Sequence, residues 1–322
     1  MHINKHIYSF GYDKTESELC KLESKYIFNK EEKNKIIFSD IKISPSSSAF
    51  IKKRLDVILF SEDYSNLIND IKKENIRTDG FKVEYLVLDG DTTRYTVQLG
   101  KLKDVGYSID TYPDYYNPTI TYGICYHEGI WYFGVLIKNN FDWHKHKQKP
   151  NSYSSSISIT IAKALVNIAA SSSKENKLLD ACCGVGTIML EACFGGNNIE
   201  GCDINWKVCK SARENLSYFN YNANIYCSDI KDINKRYDAA ILDLPYNLYS
   251  TVTDNDILHI IKSTAKITDR LVMVSTSDIS SLISNAGLTI SDYCSISKRG
   301  NSKFTRKLWV CVRCETEAKE KL

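Results

Sequence analysis

Leu178-Leu-Asp-Ala-Cys-Cys-Gly-Val-Gly-Thr-Ile-Met-Leu-Glu-Ala192 reads as a short strand, a tight glycine turn and the first turns of a helix. Asp180 closes the strand. Gly184 and Gly186 remove side chains where the backbone turns sharply or approaches a ligand. The helix start that follows offers unpaired N–H groups. A βα turn with two glycines is common in α/β proteins, and G-x-G alone is weak evidence. Met189 stands where a full dinucleotide fingerprint has its third glycine. No lysine follows Gly186 in Walker fashion, which disfavours a nucleoside triphosphate. The turn has to be read with what flanks it.

Downstream the chain alternates regularly between strand and helix. Ile199-Glu-Gly-Cys-Asp203 is a strand ending in an acid, roughly twenty residues past the turn, where ribose-binding acids sit in such folds. Ala223–Asp229 and Tyr237–Asp243 are further strands that also end in acids, and Leu271–Ser275 is a fifth strand. Leu288–Ser297 and Phe304–Arg313 are expected to pair as an antiparallel edge. A single strand-end Asp is usually a turn former. Asp180, Asp203, Asp229 and Asp243 in succession gather at one crevice, because the carboxyl ends of parallel strands share an edge. The tasks assigned to them are anchoring the glycine loop (Asp180), binding a ribose diol (Asp203), accepting from an adenine amino group (Asp229) and facing the reacting atom (Asp243).

Upstream, residues 1–45 form a small α/β piece, with a strand at Ile7–Phe10, a helix from Glu16 to Phe28 and a strand from Ile36. Residues 46–140 form a second α/β module. It has strands at Arg54–Phe60 and Phe81–Leu88, a helix at Tyr64–Asn75, and a hairpin of Ile120–Tyr126 and Ile130–Ile137 around His127-Glu-Gly129. Nothing in 1–140 carries catalytic chemistry. Residues 141–153 read as a basic linker, and polar residues 151–156 as the cap of a helix with Ile157, Ile161, Leu165 and Ile168 inward.

The 322 residues allow two domains of ordinary size, and 43% hydrophobic with 25% charged residues is normal for a globular protein. No apolar run approaches the roughly 18 residues of a membrane span, so no membrane partner is expected. Met1–His6 lacks the apolar core of a signal peptide, so a cytoplasmic protein is expected. Eleven scattered cysteines suit reduced thiols better than a disulfide framework. Cys311-Val-Arg-Cys314 has no second pair, and a closed zinc site needs four ligands, so no metal is expected.

Residues 178–313 resemble a class I S-adenosylmethionine-dependent methyltransferase. Asp180-x-x-x-Gly184-x-Gly186 matches that family's first motif, Asp203 its ribose-binding acid and Ser228-Asp229 its adenine-binding position. Asp243-Leu-Pro-Tyr246 matches the (Asp/Asn)-Pro-Pro-(Tyr/Phe) motif of amino-group methyltransferases, with Leu244 in place of the first proline. Lys149-Pro-x-x-Tyr-Ser154 and Ala162–Ala169 resemble the segment preceding the catalytic domain in tRNA guanine-N2 methyltransferases that carry a THUMP RNA-binding domain. The resemblance implies an α/β fold: a Rossmann-like seven-stranded sheet with an antiparallel last strand over 154–322. A THUMP-like module at 46–140 and a ferredoxin-like piece at 1–45 would precede it. It implies S-adenosyl-L-methionine as cofactor, held by Tyr153, Ser154, Asp180, Cys182, Gly184, Gly186, Thr187, Asp203, Ile204, Ser228 and Asp229. It implies catalysis by Asp243, Leu244, Pro245 and Tyr246 on the exocyclic N2 of a guanosine in tRNA.

In that chemistry Asp243 and the Leu244 carbonyl accept hydrogen bonds from a conjugated amine, Pro245 stiffens the turn and Tyr246 stacks on the base. An Asn-Leu-Pro variant is familiar from guanine-N1 methyltransferases, so N1 stands as an alternative. Adenine N6 of DNA or RNA, a protein glutamine, and a noncatalytic RNA-binding protein that keeps the fold stand as others. Lys138, Lys145, Lys147 and Lys149, together with Arg299, Lys303 and Arg306, are the expected phosphate contacts, against a reading as solvated loops. The expected partner is tRNA, with room for a small activating subunit, and the chain is expected to be a monomer.

Overall fold

In the computed structural model the described residues are 5–153, 156–171, 173–245, 252–298 and 301–313, with backbone alone for 298 and 301–304. Two units emerge, and the chain passes between them more than once. Met1–Gly11 and Glu32–Phe141 make unit 1; Tyr12–Glu31 and Asp142–Leu322 make unit 2.

Unit 1 starts with β1 (His6–Phe10). The chain then gives α1 (Ser17–Phe28) to unit 2. It returns with β2 (Ile36–Ser39), β3 (Ile51–Ser61), α2 (Tyr64–Lys73), β4 (Phe81–Tyr85), α3 (Tyr95–Gly106), β5 (Ile120–His127) and β6 (Ile130–Lys138). The sheet order is β2-β1-β3-β6-β5-β4, antiparallel throughout except for the β4–β5 pair. One sheet therefore takes strands from both segments that the sequence reading kept apart at residue 45. The tie is the β1–β3 ladder, in which Ile7 pairs with Leu55. Leu67 and Ile71 of α2 and Val105 of α3 pack with Phe81, Tyr122, Ile124 and Phe133, while Ile7, Ile36, Leu55 and Leu136 form a second core cluster. The sequence reading contained no helix at Tyr95–Gly106. Its apolar residues Val97 and Leu99 are exposed, so no clean inward stripe marks it.

In unit 2, α4 (Ile159–Ala170) precedes β7 (Lys177–Asp180), α5 (Thr187–Phe194), β8 (Asn198–Asp203), α6 (Trp206–Tyr218) and β9 (Ile225–Cys227). Then come β10 (Tyr237–Asp243), α7 (Asp254–Ile267), β11 (Thr268–Ser275), α8 (Ser280–Asn285), β12 (Leu288–Lys298) and β13 (Asn301–Arg313). The sheet runs β12-β13-β11-β10-β7-β8-β9, with β13 antiparallel to both of its neighbours. The order reverses between β7 and β10: β8 follows β7 on one side, and β10 returns on the other. That reversal is the point where open α/β sheets leave a crevice at their carboxyl edge.

α4 is buried nearly all round, Lys163 included, because it packs against α1 as well as α5 and the sheet. Its cap is Ser158, which accepts the Ile161 N–H at 3.3 Å; the expected cap at 151–156 lies upstream of this. α1 reaches the far end of the sheet. The Tyr26 hydroxyl donates to Asp292 at 2.8 Å, Lys25 pairs with the same carboxylate, and Glu18 accepts the Ser295 N–H at 2.8 Å.

Candidate active site

The glycine turn is fixed by its neighbours on both sides. As the chain leaves β7, the Ala181 N–H donates to the Ile241 carbonyl at 3.0 Å and the Cys183 N–H to the Cys202 carbonyl at 2.9 Å. The Gly186 N–H then closes the turn on the Cys183 carbonyl at 2.8 Å. Gly186 has φ +79°, and a Cβ there would sit 3.2 Å from the Cβ of Ala212 on α6. A side chain is disfavoured twice at this position, by backbone region and by space. Met189, one turn into α5, lies over Gly201 of β8, where a Cβ would come within 2.4 Å of its Sδ. The close helix–strand approach that a third glycine on the helix provides elsewhere is provided here by a glycine on the strand.

The register explains how the acids meet. Asp180 pairs with Gly201 on one side and Ile241 on the other. Asp203 and Asp243 each stand two residues further along, and so on the same face, one pleat beyond it. Asp203 Oδ2 accepts the Gly184 N–H at 3.0 Å and its Oδ1 the Asn205 N–H at 2.9 Å. Asp203, rather than Asp180, therefore anchors the glycine loop by hydrogen bonding. Asp180 is fully buried, and neither carboxyl oxygen has a hydrogen-bond partner among the described residues. Burial, reinforced by the charges of Asp243 and Asp203, pushes its pKa well above the usual carboxylate range. Burial also raises Asp203, outweighing the two N–H donors. Cys182, in the same loop, has its thiol pushed up by burial and then by Asp203 and Asp180. The Thr187 hydroxyl, at the start of α5, is buried and equally without a partner among the described residues.

A buried carboxyl with no donor, beside two more acids, calls for a cation and for hydrogen-bond donors. S-adenosylmethionine carries a sulfonium, an ammonium and a ribose diol, a cation and donors that suit these acceptors. Asp180, Asp203, Gly184, Gly186 and Thr187 would be the residues to hold it.

Asp229 caps a short turn, accepting the Lys231 N–H at 3.0 Å, with the Lys231 ammonium 3.3 Å away. Its backbone neighbour Ser228 donates N–H to the Asp203 carbonyl at 3.2 Å, which places both beside β8. Ile204 and Tyr153 are exposed. Leu244 is buried, and its N–H donates to the Val274 carbonyl at 3.1 Å, continuing the β10–β11 ladder one residue past Asp243. A proline cannot make that bond, which gives a structural reason for leucine where the motif has proline. Asp243 and Pro245 are half-buried at the same edge. Ser154, Tyr246, Arg299 and the side chain of Lys303 lie outside the described residues.

The basic segment before α4 is not a solvated linker. Asp142–Gln148 is a 3-10 helix that buries Trp143 and His146. His146 Nδ1 lies 2.7 Å from Glu191 of α5, its Nε2 3.1 Å from the Tyr221 hydroxyl, and Glu191 also faces Lys163 at 3.5 Å. The partner that buries this histidine comes 45 residues later, so composition alone gave no sign of it. Of the expected phosphate contacts, Lys145 and Lys147 are exposed. Lys149 is half-buried, and burial lowers its pKa against the pull of Glu191. Lys138, in unit 1, is committed to Glu84 at 2.6 Å, and Arg306 is half-buried on β13. Among the described residues no group of three or more His, Cys, Asp or Glu is placed to hold a metal, and none of the cysteines is paired.

Unit 1 carries a feature the sequence reading passed over. A cavity of about 570 Å³ opens beside α3, lined by Phe81, Leu99, Lys103, Tyr107, Tyr112 and Tyr115 among others. Tyr107, Tyr112 and Tyr116 are 85, 88 and 93% exposed, too exposed to serve the core.

Residues 146–273 match the model of the RMKL-like methyltransferase domain. Over 117 residues the chain is 30% identical to a tRNA (guanine(10)-N2)-dimethyltransferase of Methanothermobacter thermautotrophicus, covering 35% of this chain and 34% of that protein. Over 119 residues it is 29% identical to the protein of the same name from Methanocaldococcus jannaschii, covering 33% of each. The chain thus spans about a third of the length of the curated relatives it matches. Among solved structures, TrmN from Thermus thermophilus aligns over 82% of this chain and 84% of its own, at 12% identity and a TM-score of 0.44.

Proposed function

We propose that the chain is an S-adenosylmethionine-dependent methyltransferase acting on the exocyclic N2 of a guanosine in tRNA, in the cytoplasm. The observation that carries this reading is the buried Asp180, without a hydrogen-bond partner among the described residues, between Asp203 and Asp243 at the reversal of strand order. When bound, the cofactor supplies an electrophilic methyl on a sulfonium. The chain's own acids favour that positive charge and orient the ribose. Asp243 and the Leu244 carbonyl accept the two N–H groups of the exocyclic amine, which turns its lone pair out of conjugation and toward the methyl. Pro245 holds the turn, and Tyr246 offers a ring for the displaced base. Positioning and electrostatics carry the rate.

Unit 1 is proposed as the RNA-binding, THUMP-like module, with Tyr107, Tyr112 and Tyr115 as stacking faces and Lys103 as a phosphate partner. The likeness of about a third of the chain to two tRNA (guanine(10)-N2)-dimethyltransferases supports the base and the atom. Nucleoside mass spectrometry of tRNA from cells with and without the gene tests the reading. Loss of N2-methylguanosine or its dimethyl form is the expected result; an unchanged tRNA profile, or loss of N1-methylguanosine instead, overturns the assignment.

A further inference from the structure

Asn215, on α6, is fully buried and spends its carboxamide on two segments at once. Its Nδ2 donates to the Val185 carbonyl at 2.9 Å, in the middle of the Gly184-Val185-Gly186 turn. The same Nδ2 donates to the Asn151 carbonyl at 2.9 Å, while its Oδ1 accepts the Asn151 N–H at 2.9 Å. Both amide protons and the oxygen are thereby used. Aspartate lacks the donors, leucine lacks every polar atom, and glutamine is a methylene too long for a site closed on all sides. Ala212, three residues earlier and on the same helix face, is the atom group against which Gly186 packs. α6 therefore touches the turn at two successive residues.

Asn151 lies three residues past the 142–148 helical segment, whose buried His146 is held by Glu191 on the helix that follows the turn. Segment, turn and α5 make a closed circuit, and Asn215 is the link between the first two. We infer that Asn215 is a positioning residue: it couples the geometry of the cofactor turn to that of residues 151–153. The cofactor site and the approach to it then order together. The inference rests on the reading of the turn as the S-adenosylmethionine site.

The test combines calorimetry, steady-state kinetics and hydrogen exchange on the full chain, with S-adenosylhomocysteine as the binding probe. In the wild type, the probe is expected to slow exchange at the Asn151 amide. Asn215→Ala and Asn215→Asp are expected to weaken probe binding on the order of tenfold and to raise KM for the cofactor by a similar factor, with kcat at saturation changed less than about threefold. A purely structural role would lower melting temperature and active fraction and leave KM alone, and that result overturns the inference. Probe binding to the wild type with no change at Asn151 overturns it too, and needs no variant that folds. No probe binding to the wild type sinks the methyltransferase reading itself and the inference with it.

Discussion

The Gly184 N–H donates to Asp203 at 3.0 Å, so the acid that ends the second strand of the domain also holds the loop that follows the first. One carboxylate thus fixes the position of the turn while its pKa is raised by burial. If this turn holds the cofactor as proposed, affinity and protonation are linked. In the free protein, Asp180 and Asp203 hold their protons more tightly than in the unfolded chain. Their contribution to stability is full below the ordinary carboxylate range and is lost as pH rises through the raised values. A cationic ligand reverses this preference and expels the proton. S-adenosylmethionine is expected to bind more tightly as pH rises through that window, with net proton release. Calorimetry in two buffers of different ionisation enthalpy checks it; proton uptake contradicts the assigned charge state.

Asp243 faces the same crevice from β10. Asp243→Ala is expected to lower methyl transfer to tRNA by about 10³-fold, the scale of losing a charge-stabilising acceptor. Cofactor affinity is expected to stay nearly intact. Full turnover in the variant would remove Asp243 from the chemistry.

Lys145 and Lys147 remain exposed after Lys138 and Lys149 are accounted for by Glu84 and by burial. Neutralising both to Gln is expected to weaken tRNA binding and reduce the slope of log affinity against log salt by about 2, near one per phosphate contact. Neutralising Lys138 is expected to leave the slope alone. Filter binding across a salt series separates these outcomes.

Tyr112 and Tyr115 line the cavity of unit 1. Replacing either by Ala is expected to weaken RNA binding by about 1–3 kcal/mol, the range for a stacked base, with little change in the salt slope. Unaltered affinity would assign these rings to another partner.

Gly201→Ala places a methyl 2.4 Å from the Met189 Sδ and 3.2 Å from the Cys183 Cβ. It is expected to destabilise unit 2 by about 1–3 kcal/mol in urea unfolding. Met189→Ala in the same chain should recover part of the loss, because the two residues share one contact. Additive effects would mean that the helix does not depend on this approach.

The turn, the strands that end in Asp180, Asp203 and Asp243, and the antiparallel final pair were all legible. Each is a local pattern: glycine spacing, apolar runs and a terminal acid. What was illegible depends on distant partners. His146 looks like part of a charged linker until Glu191 is brought to it. Asp180 looks like the loop anchor until the fold brings Asp203 to accept the Gly184 N–H. α3 lacked an apolar stripe because part of its apolar surface faces outward around the cavity. The break at residue 45 followed a Pro-Ser stretch that is only a short turn between β2 and β3.

α1 is synthesised before the whole sheet of unit 2, yet Tyr26 and Glu18 wait for Asp292 and Ser295, 266 and 277 residues later. An emerging chain has to hold this helix unsatisfied until nearly the last strand arrives. Loop closure over such a span is slow, so the docking of this helix is expected to be a late step in the assembly of the unit. For the same reason a fragment beginning at residue 142 would leave α4 and β12 without their covering helix, and dissection of the two units calls for a permuted chain rather than a single cut.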